Sequence, residues 1–233
     1  MKKYLKTFYH WMFSGAKSYS QTGEDLIAAF FLSGIKQGFY VDIGANDPIY
    51  MNNTYLFYKK GWQGVCVDPD VYRCRLIKKI RLRDEVINEG LAGSPGLLDF
   101  YLMEPDTLST FSKIEADELQ KQGHKIKQVQ KIKVSTLANF FTQYAAGRAI
   151  DLLSLDTEGM DLEILQSNDW ERFRPKIIIA EIIKYQEPKS TRVNKPFDHF
   201  FKQHGYLKLA DTYINGIYIE KDYAKSRNLD ENP

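Results

Sequence analysis

The stretch GFYVDIGANDP, residues 38–48, sets an apolar run directly before a turn of small residues. Phe39, Tyr40 and Val41 read as strand, and Asp42, Gly44 and Asn46 alternate through the turn before Pro48. Strand-turn-helix junctions of this kind bind nucleotide-like ligands. A dinucleotide, however, needs backbone close to its pyrophosphate, hence three glycines in G-x-G-x-x-G. Here the loop Gly44-Ala45-Asn46-Asp47-Pro48 has one glycine and an acid that would repel phosphate.

Outward from this junction, strands and helices alternate. EDLIAAFFLSG (24–34) carries an apolar stripe ended by Gly34, and NNTYLFYKKG (52–61) is a short helix capped by Asn52 or Asn53. WQGVCVD (62–68) is a second strand and VYRCRLIKKIRL (71–82) an amphipathic helix. EVINEGLAG (85–93) and GLLDFYLM (96–103) are extended, followed by the polar loop EPDTLSTFSK (104–113). KIKVSTLANFFTQY (131–144) is a strand leading into a helix. AIDLLSLD (149–156), the helix MDLEILQS (160–167) and PKIIIAEII (175–183) continue the alternation. NKPFDHFFKQHG (194–205) is a helix, and YLKLADTYINGIYIEK (206–221) is two strands around a turn. The pattern predicts an α/β fold, with a doubly wound, mostly parallel sheet covered on both faces. Its near-continuous apolar strands suit burial on both sides. The closing pair is too closely connected to be parallel and predicts a C-terminal antiparallel hairpin.

Ligands of such sheets lie beyond the carboxyl ends of the strands. The residues collected there are Asp42 to Asp47, Asp68, Leu91 and Ala92, Asp156 to Glu158, and Glu181. They supply several acids and almost no cations, against what a phosphate pocket wants. Asp68, after the second strand, is placed to accept from two ribose hydroxyls. S-adenosylmethionine shares that ribose with NAD but carries an amino group and a sulfonium in place of phosphates. The acidic loop therefore points to S-adenosylmethionine. An NAD-dependent sugar-modifying oxidoreductase and a non-catalytic Rossmann-like interaction module stand as alternatives. Each residue also has a purely structural reading. Asp42 would cap its own turn, Asn46 would tolerate positive φ, and Asp68 before Pro69 would cap a helix.

Four blocks, YSQTGEDL (19–26), GFYVDIGANDP (38–48), NNTYLFYKKGWQGVCVDPD (52–70) and DLLSLDTEGMDLEIL (151–165), occur in an order that resembles the FkbM-type methyltransferase family. The resemblance implies a seven-stranded, Rossmann-like methyltransferase sheet. It implies S-adenosyl-L-methionine as cofactor and O-methylation of a saccharide or glycosylated metabolite. It also implies roles for residues. Gly44 and Asn46 line the methionine part with Asp42 beneath, Asp68 holds the ribose, and Leu91 and Ala92 edge the adenine. Gln21 and Glu24 close over the cofactor or acceptor, and Asn53 is a further cofactor-binding candidate. Three positions depart from the family pattern: Pro48 for glycine, Asp68 for glutamate, and Asp161 for the second glutamate of DxEGxE.

A sugar hydroxyl is a weak nucleophile, so a positioned carboxylate that takes its proton helps. Asp156 and Glu158 are the catalytic candidates; Glu158 with Gly159 would alternatively shape the turn before the next helix. Asp156 with Glu181 could hold Mg²⁺, which the sequence permits without requiring. The segment 103–125 is expected to serve as a lid or acceptor-recognition loop.

Composition narrows the remaining classes. The 233 residues suit one sizeable domain, 43% hydrophobic and 27% charged, with a formal net charge of +2 that gives no case for nucleic acid. The basic residues of RLIKKIRLR read as a solvated face. Cys66 and Cys74 form no CxxC, and the four histidines are dispersed, so neither a disulfide framework nor a zinc site is supported. The expected location is cytoplasmic. Residues 1–18 read as a basic-aromatic helical extension. Its first 14 residues could touch a membrane surface or pack on the domain, but it holds no run of about 20 apolar residues that would span a bilayer. The methyltransferase domain is expected over 19–224, with a polar tail over 225–233.

Overall fold

The computed structural model describes residues 17–182 and 195–228. The proposed helical extension and its membrane contact therefore fall almost wholly outside the described residues, as does the end of the tail. Lys225 and Ser226, read as the start of that tail, complete a helix.

The main sheet has seven strands in the order β3-β2-β1-β7-β8-β10-β9. They are β1 (Phe39–Ile43), β2 (Gln63–Val67), β3 (Glu85–Ile87), β7 (Leu152–Leu155), β8 (Ile177–Glu181), β9 (Tyr206–Asp211) and β10 (Asn215–Glu220). The first five are parallel, whereas β10 runs antiparallel to both β8 and β9. The predicted sheet and its closing hairpin are thus both present. The chain starts at the centre, moves outward through β2 and β3, and returns to the other side of β1 at β7. That reversal opens a crevice at the β1/β7 carboxyl ends.

Helices α1 (Glu24–Phe31), α2 (Tyr55–Lys59), α3 (Val71–Ile80), α5 (Leu137–Tyr144), α6 (Asp161–Gln166), α7 (Lys195–Gln203) and α8 (Lys221–Ser226) cover the sheet. Every residue of β1, β7 and β8 is buried, as strands covered on both faces must be. Alternate side chains of β1 enter different cores. Phe39, Val41 and Ile43 pack with Phe140, Phe141 and Phe201, while Tyr40 packs with Phe57, Trp62 and Ile77. Asp42 lies on the side of Tyr40, among the helices that follow β1 and β2.

Two readings need correction. The segment EVINEGLAG is not one strand. It leaves the main sheet after β3, and β4 (Gly90–Leu91) joins a separate three-stranded sheet in the order β4-β6-β5. There β5 (Gly96–Glu104) and β6 (Lys125–Ser135) form a long antiparallel ribbon. Nor is 103–125 a plain loop. It holds a 3₁₀ turn at Asp106–Leu108 and helix α4 (Lys113–Lys121), whose cap Ser112 accepts from the Glu115 amide at 3.3 Å. Its charged residues fall mostly at exposed positions, around the buried Thr110 and Ala116.

Among the described residues no helix is long and apolar enough to cross a membrane.

Candidate active site

The cleft over β1, β2 and β7 has two lobes that share Gly44, Asn46, Arg73, Thr107, Asp156 and Glu158. The first also meets Asp68, Leu91, Phe100 and Phe111; the second meets Gln21, Asp42, Asn52, Asn53 and Ser154.

The floor is set by backbone approach. Gly44 has φ +74, and a Cβ there would stand 1.8 Å from the carbonyl oxygen of Asp156. The glycine is therefore needed where the β1 and β7 loops converge, whatever the ligand. Asn46 follows with φ +45, a left-handed conformation that asparagine tolerates.

Beneath this loop lies Arg81, fully buried although its sequence read as a solvated basic face. Its Nη1 lies 3.6 Å from both Asp42 and Asp84 and donates to Thr54 Oγ1 at 2.8 Å. Its Nε donates to the Pro48 carbonyl at 2.9 Å. Asp42 in turn accepts from Thr54 Oγ1 at 2.6 Å and Asn52 Nδ2 at 3.1 Å. Asp42 thus uses its Oδ2 oxygen to hold the loop, and Pro48 lines neither lobe. Asn52, not Asn53, accepts from the Thr54 and Tyr55 amides and starts α2. Asn53 instead faces the second lobe and donates to Ser154 Oγ at 3.2 Å.

Asp68 is buried at the end of β2, accepting from the Asn46 amide at 2.9 Å and the Asp70 amide at 2.8 Å. The helix cap is Asp70, which accepts from the Tyr72 amide at 2.7 Å. Asp68 therefore binds two loops together and lines the first lobe. Burial pushes its carboxyl up to about 7, with those two amides working the other way. Leu91 lines the same lobe, whereas Ala92 is buried beside it and lines neither.

The block 19–26 folds around Asp25, which accepts from Ser18 Oγ and the Tyr19 amide, each at 2.7 Å. Gln21 is exposed at the second lobe. Glu24 lines neither lobe. It accepts from Thr212 Oγ1 at 2.6 Å and Asn215 Nδ2 at 2.9 Å, joining α1 to β10. Burial pushes Glu24 up, but these bonds and those from Thr22 hold it down to about 2.

The acids after β7 behave in the opposite sense. Burial first, then the charge of Asp42, raises Asp156 to about 6, with a hydrogen bond from Glu181 opposing. Burial and Asp156 raise Glu181 well above the carboxylate range, so Glu181 is the partner that keeps a proton. Burial, then Asp156, Asp161 and Glu115, push Glu158 up to about 9, and Asp161 rises to about 7. Glu158 has φ +51 and its carbonyl accepts from Thr110 Oγ1 at 3.0 Å. Of these acids Asp156 is raised the least and Glu158 and Glu181 the most, so the latter two hold their protons at neutral pH. Among the described residues, no group of three or more His, Cys, Asp or Glu side chains is arranged to hold a metal ion.

Asp68, Asp161 and Glu158 all bind their protons more tightly in the folded chain than in the unfolded one. Folding stability from these groups is therefore full below about pH 4 and is lost as pH rises through each folded value. The melting temperature is expected to be higher at about pH 5.5 than at about pH 8.5, and Glu158→Gln should flatten that slope. Glu24 has the opposite sign, but its contribution is lost only below about pH 4.5, outside this window. A wild-type melting temperature that climbs from the acidic to the alkaline sample would refute this.

Three cleft residues were not legible in sequence. Arg73, in the first turn of α3, pairs with Asp106 and lies 3.8 Å from Asp47, linking the β1 loop to the inserted segment. First-turn side chains tilt toward the helix N-terminus, which here faces the strand ends. Phe111 packs on Phe100 with ring centroids 4.8 Å apart, and a Cβ at Gly90 would stand 2.4 Å from its ring. It was the lone aromatic in a polar run, the one signal available. Thr107, in the 3₁₀ turn, lines both lobes. Segment 103–125 thus forms part of the cleft wall.

The residues present fit an S-adenosylmethionine-like group. Asn46 Oδ1 and Thr157 Oγ1 are buried without a hydrogen-bond partner, and each belongs to a residue lining the first lobe. The Asn46 oxygen and the Asp68 carboxylate accept from hydroxyl or ammonium donors, and the Thr157 hydroxyl can accept or donate.

Residues 42–208 match the methyltransferase FkbM domain family. No curated protein matches the chain significantly. Among solved structures, the chain is similar to a methyltransferase FkbM from Methylobacillus flagellatus, at 12% identity and TM-score 0.46, over 83% of this chain and 47% of that one. It therefore spans about half the length of that protein. A TehB-like SAM-dependent methyltransferase from Corynebacterium glutamicum aligns at 10% identity and TM-score 0.46, over 94% of this chain and 97% of that one. An O-methyltransferase from Bacillus cereus, in complex with SAH, aligns at 12% identity and TM-score 0.43, over 88% and 82%.

Proposed function

The chain belongs to the FkbM methyltransferase domain family, and from that premise we propose that it transfers a methyl group from S-adenosylmethionine to a hydroxyl of a saccharide or glycosylated metabolite. The observation that carries this reading is the first lobe, lined by Asp68, Leu91, Asn46 and Thr157, the last two with unpartnered buried side-chain oxygens. When bound, the cofactor supplies an electrophilic methyl group. Asp68 would accept from the ribose hydroxyls, Asn46 would face the methionine part, and Leu91 and Phe111 would edge the base. The protein contributes alignment of the two reactants, which by itself can lower a barrier by about 7–11 kcal/mol. It also contributes Asp156, which takes the acceptor hydroxyl proton onto its carboxylate. Protonated Glu181 beside it keeps that carboxylate oriented, and Glu158 donates a hydrogen bond at the lobe junction. The acceptor would enter through the second lobe, past Gln21 and Asn53.

Calorimetric titration with S-adenosylhomocysteine tests the cofactor half of this reading. Asp68→Ala should weaken binding by about 1–3 kcal/mol, from lost charge-assisted hydrogen bonds. An unchanged dissociation constant in a folded variant would remove Asp68 from the ribose. Binding of NAD instead of S-adenosylhomocysteine would replace the reading altogether.

A further inference from the structure

The turn between β1 and α2 carries a feature that cofactor binding leaves unused. Tyr50 is 72% exposed and Met51 46% exposed, and both open onto the second lobe. A single exposed apolar residue is ordinary on a protein surface. This one is set on a fixed support. The Tyr50 and Ile49 amides donate to Asp47 Oδ1 at 2.8 and 2.9 Å, the Pro48 carbonyl accepts from buried Arg81, and the Asn52 amide donates to the Tyr19 carbonyl at 2.9 Å. Met51 between them is held at φ +51. Tyr50 thus borders the lobe on a backbone tied on both sides, and the same lobe is lined by hydrogen-bonding groups, among them Gln21, Asn53, Ser154 and Asp156.

An exposed aromatic ring and amide, hydroxyl and carboxylate groups lining one lobe match a pyranose, whose C–H face is apolar and whose rim is hydroxyl. Charge narrows the choice. Arg73 is the one basic side chain lining either lobe among the described residues, and its guanidinium already pairs with Asp106 beside Asp47. Asp42, Asp47 and Asp156 line the second lobe. Among the described residues, a phosphate or carboxylate on the sugar would meet these acids with no unpaired cation lining the lobe, whereas an ammonium would be attracted.

We propose that the second lobe is a sugar subsite in which Tyr50 stacks on a neutral or amino-bearing pyranose, and that it rejects sugar phosphates and sugar nucleotides. Tyr50 is then a specificity-determining residue for the acceptor, a role that rests on the methyl-transfer reading, although sugar binding itself does not.

Saturation-transfer NMR on the full chain, with and without S-adenosylhomocysteine, separates the two. Methyl glucoside and glucosamine are expected to receive saturation, and glucose 6-phosphate is not. Tyr50→Ala should weaken the sugar signal about five- to tenfold, the scale of one aromatic contact, and Tyr50→Phe should retain it. Leu82→Ala, at a site exposed elsewhere on the surface, controls for nonspecific loss, and melting curves confirm that each variant is folded. Sugar signal without S-adenosylhomocysteine binding would support the subsite and sink the methyl-transfer reading. Cofactor binding with no signal from either sugar, a signal indifferent to Tyr50→Ala, or a glucose 6-phosphate signal equal to that of methyl glucoside would overturn the subsite.

Discussion

Asp156→Asn is expected to lower methyl transfer by about 10²–10⁴-fold, the usual contribution of a positioned general base, while S-adenosylhomocysteine binds as before. Asparagine keeps the shape of the side chain but cannot take the acceptor proton. The fold should not suffer. Burial and the charge of Asp42 already disfavour the ionised carboxylate, so removing that charge should leave the melting temperature unchanged or raise it. Loss of rate without loss of stability or cofactor affinity is the signature that separates catalysis from damage. In the wild type, kcat/KM should fall as pH drops through about 6, where Asp156 takes up its proton. Wild-type turnover in the asparagine variant would make Asp156 structural, and Glu158 would become the residue to test next.

The largest expected effect on stability comes from Arg81→Met. Methionine fills much of the space but abandons Asp42 and Asp84 in the interior, along with the Pro48 carbonyl and Thr54 Oγ1. Breaking a buried ion pair from one side typically costs about 3–5 kcal/mol. For a chain of this size that is a fall in melting temperature of about 10 °C. The same loss should weaken S-adenosylhomocysteine binding, since the β1 loop rests on this guanidinium. Pairing the change with Asp42→Asn should recover part of the stability, because the orphaned charge goes with it. A melting temperature within about 2 °C of wild type would show that the network is solvated in solution and holds nothing.

The main architecture could be read from the sequence because it is written in local periodicity. The apolar runs around Val41, Leu153 and Ile178, and the turn residues between them, fix strands that must be covered on both faces. The short link between Leu209 and Ile217 allows only an antiparallel pair. The β1 turn was legible for the same reason, since Gly44 and Asn46 report backbone conformations that few residues adopt. Other features depend on distance through space, which periodicity does not carry. Arg81 looks like its neighbours Lys78 and Lys79, and only the convergence of Asp42, Asp84 and Thr54 makes its burial tolerable. The departure of β4 into a second sheet is decided by its pairing with Val134 and Ser135, more than 40 residues away. Polar residues in 104–124 mark exposure, which a loop and a surface helix share, so α4 was hidden. The acids after β7 could be counted in sequence, but not sorted. Which one holds a proton is set by depth and by mutual repulsion within a few ångströms, and only the folded chain brings Asp42, Asp156, Glu158 and Glu181 together.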